Sequence, residues 1–245
     1  ELITFYPPHI AYAYAMNTTT PLPAHRKISL AAGLLYLLTF VSIPTLSIYG
    51  PVKSAGYILG VGPDTGAVLG GLSEVIVALA GIATAVVLYP ILKKQNVTLA
   101  LGLVASRILE ASAIFVGVAF ILTIVSLRQE GAGDAALPVS HALSTLYDRM
   151  FLLSQSFLPA VNDLLLGFLL YKSRLVPRGL SLIGIVGGPL LIIGYLAVLF
   201  GIVGQHEPLA GMSAIGVAFF EFSLGLWLTF KGFNREAVAT LESKG

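Results

Sequence analysis

The 245-residue chain contains no cysteine, so no disulfide framework and no thiolate metal site can be assembled from it. Charge is nearly as scarce: Asp, Glu, Lys and Arg make up 11% of the residues, where a soluble domain carries roughly 25%. That shortage excludes an ordinary soluble globular protein. It also excludes intrinsic disorder, which needs high charge and few apolar residues. What is present is apolar: 56% hydrophobic residues and a mean hydropathy of +0.90 describe a protein that lives in lipid. The net charge of +2 is too small to suggest a nucleic-acid partner, and the basic residues serve instead as markers of membrane sidedness.

A helical crossing needs about 20 mostly apolar residues. Six such runs are expected, over Ile28–Tyr49, Gly66–Tyr89, Thr98–Leu127, His141–Tyr171, Gly179–Val203 and Leu209–Phe230. The reading is an all-α, polytopic integral membrane protein, a six-helix transmembrane bundle, with residues 1–27 a polar segment before it and 231–245 a tail behind it. Arg26, Lys27, Lys93, Lys94, Lys172, Arg174, Arg178, Lys231, Arg235 and Lys244 fall on one side of the bundle, against Lys53 and Arg128 on the other. The positive-inside rule then puts both termini in the cytoplasm of a multi-pass cell-membrane protein. The opening ELITFYPPHIAYAYA has Pro7 and Pro8 and no basic stretch, so it is neither a span nor a secretory signal. Met16 is the expected natural start, with residues 1–15 a non-native extension.

Ionisable groups inside the runs are few, and each costs at least about 2.5 to 3.5 kcal/mol at the bilayer centre. They are Glu74, Arg107, Glu110, Asp148, Arg149, Asp163 and Glu221. Arg107 and Glu110, three positions apart, share a helix face as an intrahelical pair, or else as a pair whose Glu110 exchanges partners with another acid such as Glu221. In the fourth run Ser144, Asp148, Gln155 and Asn162 fall within one stripe roughly 27 Å long, either an interhelical seam or the lining of a hydrated cavity. Pro159 lies on the same face and frees a carbonyl near Gln155. Glu74 sits among Gly70, Ala78, Gly81 and Ala85, a close-packing face, and is expected to be hydrogen-bonded and protonated. The glycines Gly184, Gly187, Gly188, Gly194 and Gly201 of the fifth run read as packing surface, with a kink at Pro189.

Five acids against two bases leave about three uncompensated negative charges if all are ionised. Either some carboxyls are neutral or a cation sits among them. Glu221 has no base in its own run, so it is protonated or paired with Arg107 across the bundle. The replacement Glu221→Gln separates the two, being tolerated in the first case and costing several kcal/mol in the second.

Further absences prune the enzymes. No G-x-S-x-G elbow occurs, and no histidine lies deep in a run to activate Ser73. Of His9, His25, His141 and His206 only His141 adjoins a run, so no three-histidine zinc site forms in the membrane. At the outer surface His141, His206, Asp134 and Glu207 could at most make a weak metal site. No run contains a lysine for a retinal Schiff base. Tyr147 and Asp148 form the YD pair of an intramembrane aspartyl protease, but the companion GxGD is read as missing. No Walker A or dinucleotide motif is present. No cofactor, no metal and no catalytic residue is therefore assigned.

The stretches RKISLAAGLLYLLTF, LYPILKKQN, ASRILEA, NDLLLGFLLYKSRLVPRGLSLIGIVGGPLL and EFSLGLWLTFKGF resemble the bacterial membrane proteins of domain-of-unknown-function family 4386. The resemblance implies a six-helix architecture and no particular chemistry, and Arg107, Glu110, Asn162 and Glu221 are its motif positions. Asp163 and Tyr147 read as departures from the family pattern.

Three classes of function stay open. The first is a small transporter or permeation protein for a proton, a cation or a small polar solute, using a candidate polar site of Glu74, Arg107, Glu110, Asp148, Gln155, Asn162 and Glu221. The second is a non-catalytic subunit, sensor or assembly factor. The third is an intramembrane enzyme of unrecognised type. The lipid bilayer is the one sure partner, with a second membrane protein or another copy of the chain as candidates. A hydrated cavity reaching Asp148 favours the first class and a dry, satisfied seam the second.

Overall fold

The computed structural model describes residues 23–54, 56–60 and 63–243, so the expectations for Met16, residues 1–15 and His9 lie outside the described residues. Among the described residues the fold is entirely helical. The elements are α1 (Ala24–Thr39), α2 (Thr45–Ile48), α3 (Thr65–Leu92), α4 (Val97–Gln129), α5 (Leu137–Leu152), α6 (Leu158–Ser173), α7 (Arg178–Leu199), α8 (Pro208–Ser213), α9 (Ile215–Phe230) and α10 (Arg235–Glu242).

Four segments are long and apolar enough to cross a membrane: α3, α4, the continuous stretch Gly133–Ser173, and α7. The first and last apolar runs differ from the expected uninterrupted helices. Pro44 has no amide hydrogen and crowds the carbonyl four residues back, so α1 stops at Thr39 and gives way to a 3-10 turn, Phe40–Ser42, before α2. In the last run Ser213 turns its hydroxyl onto the Ala210 carbonyl at 2.7 Å, and the helix divides there into α8 and α9. At 16 residues each, α1 and α9 reach about 24 Å. The chain then turns by 88° into α10 through Gly232, whose φ of +78° suits a residue without a Cβ.

The stretch Gly133–Ser173 runs through a π-helical turn at Leu153–Phe157. Pro159 explains it: the missing amide leaves a carbonyl without its usual donor, and widening the turn absorbs the mismatch. In α7 the helix continues through Pro189 from Arg178 to Leu199.

Helices α3 and α4 form one antiparallel pair and α6 and α7 another; α1 packs on α3 and α9, and α9 on α7. Small residues bring these backbones together, as the fifth-run glycines suggested. A Cβ on Gly187 would meet the Gly216 backbone of α9 at 2.9 Å, and one on Gly188 the Ala160 carbonyl of α6 at 2.8 Å. Side chains interlock in two main clusters. One, at the Lys/Arg-rich end, joins Tyr36, Leu88, Leu103, Leu166, Phe220 and Leu228 to Val238 and Leu241 of α10; the other joins Tyr49, Val52, Ile58, Ile121 and Tyr147. Along α4, Arg107 and Glu110 fall between Leu103 of the first cluster and Ile121 of the second.

Candidate functional site

Arg107 and Glu110 occupy one face of α4, and Arg107 Nη1 donates to Glu110 Oε2 at 3.0 Å. The same guanidinium donates through Nη2 to Glu221 Oε1 on α9 at 2.5 Å, so one arginine joins two acids from two helices. Asn162 on α6 donates Nδ2 to Glu110 Oε2 at 2.7 Å. Tyr36 on α1 adds a hydroxyl 3.5 Å from Nη2 and a ring whose centroid is 5.7 Å from the guanidinium carbon. Gly81 on α3 leaves room for the arginine stem, since a Cβ there would sit 3.8 Å from Arg107 Cδ. Five helices thus converge on one charge, with Arg107 and Glu110 buried and Glu221 partly so. Of the two arrangements expected for Glu221, the structure holds the ion pair.

Asp163 follows Asn162 on α6 and is 0% exposed. Neither of its carboxyl oxygens has a hydrogen-bond partner, and its charged neighbours are Glu221, Arg107 and Glu110. Asn162 Oδ1 and Arg107 Nε are also buried without partners. The cluster therefore sets one guanidinium against three carboxyls and leaves several polar atoms unsatisfied, an arrangement that is costly in a low-dielectric interior unless protons or a cation complete it.

Two cavities adjoin the fourth run. The inner one, about 180 Å³, is bordered by Arg107, Glu110, Glu221, Pro159 and the interrupted backbone Thr39–Ile43. The outer one, about 320 Å³, is bordered by Lys53, Asp148, His206, Tyr49, Tyr147 and Tyr195. Gln155, Leu191 and Ala214 border both. Gln155 is the polar member of that shared wall, and it sits on the π-helical turn. Both irregular segments, the 3-10 turn after α1 and the π turn before α6, thus face open space, which is where a membrane protein tolerates non-α backbone.

Asp148, one of the five acids counted within the runs, forms an ion pair with Lys53 from the α2–α3 connection. His206 Nε2 lies 3.8 Å from its other oxygen, and Gln205 donates to its backbone carbonyl at 3.0 Å. The charge count within the runs missed Lys53 because it belongs to a connection, and the fold returns it to the mouth of the outer cavity. Arg149, the other base assigned to the run, is exposed.

Glu74 is a different kind of buried acid. Tyr147 donates to Oε1 at 2.7 Å and Tyr49 to Oε2 at 3.2 Å, and the two rings meet edge to face at 5.3 Å. The Lys53 ammonium lies 4.8 Å from the Tyr147 ring centroid. Gly70 makes this possible, since a Cβ there would collide with the Tyr49 ring. Outside the spans Asp64 accepts hydrogen bonds from Tyr57 (2.5 Å), Gln129 (2.9 Å) and Arg128 (2.8 Å), clasping the connection before α3 to the end of α4. The Tyr57 and Gln129 hydrogen bonds hold the Asp64 carboxyl below the usual carboxylate range.

Among known proteins, the sequence profile of a family described as "Domain of unknown function (DUF4386)" matches residues 31–232. The chain belongs to this family. No curated protein and no solved structure matches it. The DUF4386 assignment fits a membrane-embedded helical bundle, and its description carries no activity.

In this DUF4386 chain, of the residues singled out from sequence, Arg107, Glu110, Asn162 and Glu221 come together, with Gln155 one cavity away. Glu74 and Asp148 stand apart from them. The candidate site read from sequence did not include Asp163, Lys53 or Tyr147, although each was noted in another role, and Tyr36 and Tyr49 were not singled out. Asp163 was visible as an acid beside a stripe asparagine, but nothing in the periodicity said that it would end without a partner. Contrary to the expectation that GxGD is missing, that spacing occurs at Gly131–Asp134; it lies at the 3-10 turn that opens the Gly133–Ser173 stretch, with Asp134 exposed. With Asp148 paired to Lys53, no aspartyl dyad follows. Among the described residues no three His, Asp or Glu side chains gather as a metal site, so the outer His141, His206, Asp134 and Glu207 do not assemble one.

Proposed function

We propose that this DUF4386 member is a small transporter or permeation protein linked to a proton or a cation, with Arg107, Glu110 and Glu221 as the charge-carrying centre. The observation that carries the reading is Gln155: it borders the outer cavity at Asp148 and the inner cavity at Glu221, so polar groups follow one another from the surface to the buried ion pairs. The helix breaks that flank the inner cavity support it, because discontinuous helices beside a buried charge are how many transporters build ion sites. In the same reading the Lys/Arg-rich face is cytoplasmic and holds both termini, and the segments α1–α2 and α8–α9 complete six crossings in the cell membrane.

The test is a flux measurement in lipid vesicles containing the purified protein and an internal pH-sensitive dye, under an imposed proton or sodium gradient. Dissipation faster than in protein-free vesicles, lost in Gln155→Leu, supports the proposal. No flux above the protein-free rate rejects it. The Asn162–Glu110 bond favours the second reading, a subunit or assembly factor, because a buried interhelical side-chain hydrogen bond is the contact that a structural seam would use. Absence of flux together with recovery of one defined membrane partner in stoichiometric amount would establish that reading.

A further inference from the structure

We infer that Asp163 is a buried proton-binding site, carrying a proton that it exchanges with Glu221 across the Arg107 guanidinium. The inference rests on the permeation reading for its use and deepens it by making the coupling ion a proton.

Three observations support it. Asp163 is fully buried and neither carboxyl oxygen has a donor, which an ionised carboxylate in low dielectric does not survive. The one base facing it, Arg107, already bonds Glu110 and Glu221 through its two terminal nitrogens. The groups facing Asp163 are Tyr36 from α1, Arg107 and Glu110 from α4, and Glu221 from α9, so acids outnumber bases on every count. A proton removes one negative charge without needing space. A metal cation would need several oxygen ligands, and among the described residues no cluster of three ligating side chains exists.

Depth gives the site its direction. Asp163 lies ten residues from the end of α6 at Ser173 and Arg107 ten residues from the start of α4 at Val97, so both sit about 15 Å from the basic face. Gln155 is about 12 Å farther from that face, on the side of the outer cavity. A proton entering past Gln155 therefore meets Asp163 level with the Arg107 ion pair, with Glu221 at nearly the same depth. Moving its proton to a Glu221 carboxylate oxygen leaves Asp163 ionised and Glu221 neutral. The guanidinium then loses its reason to hold Glu221 and gains one to turn to Asp163, and its unpartnered Nε supplies a spare donor.

Infrared spectroscopy of the protein in lipid vesicles at neutral pH tests this. The wild type should show a C=O stretch of a protonated carboxyl, shifted by deuterium exchange, that is absent from the spectrum of Asp163→Asn, moved in that of Asp163→Glu and kept in those of Asp148→Asn and Glu74→Gln, so that any Glu74 band is told apart from it. A wild-type spectrum without the band, or a band unmoved in either Asp163 variant, overturns the inference, as does a band abolished by adding sodium at constant pH. The spectrum needs no transport, so a band with no flux would reject the permeation reading while leaving the proton site standing. Flux without the band would do the reverse.

Discussion

Around Glu74 each carboxyl oxygen receives a phenol hydroxyl, the tyrosines brace each other, and small residues of α3 close the packing. Around Arg107 one guanidinium faces three carboxyls, Asp163 has no donor at all, and the inner cavity opens directly on Arg107, Glu110 and Glu221, whereas the outer cavity reaches the tyrosines of the Glu74 site but not Glu74 itself. Both sites bury acids in the same bundle, so burial alone does not mark function. The distinction lies in completion: each oxygen of Glu74 has a fixed donor, whereas the unsatisfied cluster beside an opening keeps oxygens without any donor for a proton or a solute.

The largest effect is expected at Arg107. Arg107→Met strands Glu110 and Glu221 without their shared counter-charge and should cost about 3 to 5 kcal/mol, read by denaturant unfolding in detergent. Glu221→Gln leaves Arg107 with Glu110, so a smaller loss of about 1.5 to 3 kcal/mol is expected. If Arg107→Met were as stable as wild type, the cluster would be no more than decoration and the comparison would fail.

On the Glu74 side, Gly70→Ala should cost about 1 to 3 kcal/mol by driving a methyl into the Tyr49 ring, with proton flux lowered only as far as folded protein is lost. Tyr147→Phe removes the shorter hydroxyl bond to Glu74 and should cost about 0.6 kcal/mol, the average for interhelical hydrogen bonds in membranes, and at most about 1.7 kcal/mol, with flux per folded molecule unchanged. A flux defect in Tyr147→Phe at full folding would erase the distinction between the two sites.

The smallest effect is expected at the surface clasp. Asp64 has a folded-state pKa lowered from its ordinary 3.8, so its contribution is present above that value and is lost as pH falls through the lowered one. Wild-type thermal stability should therefore decline below about pH 4 more steeply than that of Asp64→Asn, and the two curves should converge in acid.

Much of the fold was legible in advance because hydropathy and helical spacing are local. The long helices, the small-residue contacts of Gly70 and Gly187, the Arg107–Glu110 face and the disturbance at Pro159 all follow from neighbours within a turn or two. The interruption at Pro44 was legible in principle, since proline in a helix interior breaks the ladder, but the apolar run around it masked the break. The cross-bundle geometry was not legible. Whether Glu221 meets Arg107, whether Lys53 swings back to Asp148, and whether Asp163 finds a donor all depend on how helices rotate against one another. No spacing along one chain segment encodes that rotation.

The distinction between a wet Arg107 cluster and a dry Glu74 site can be measured directly because the chain has no cysteine of its own. Single substitutions Gln155→Cys, Ser42→Cys and Ala78→Cys, each exposed in intact vesicles to a membrane-impermeant thiol reagent, place a probe in the shared cavity wall, beside the inner cavity and on the packed face one turn from Glu74. Rapid labelling at Gln155→Cys and Ser42→Cys with none at Ala78→Cys is the predicted result. No labelling at Gln155→Cys and Ser42→Cys, or labelling at Ala78→Cys at the same rate, would contradict it.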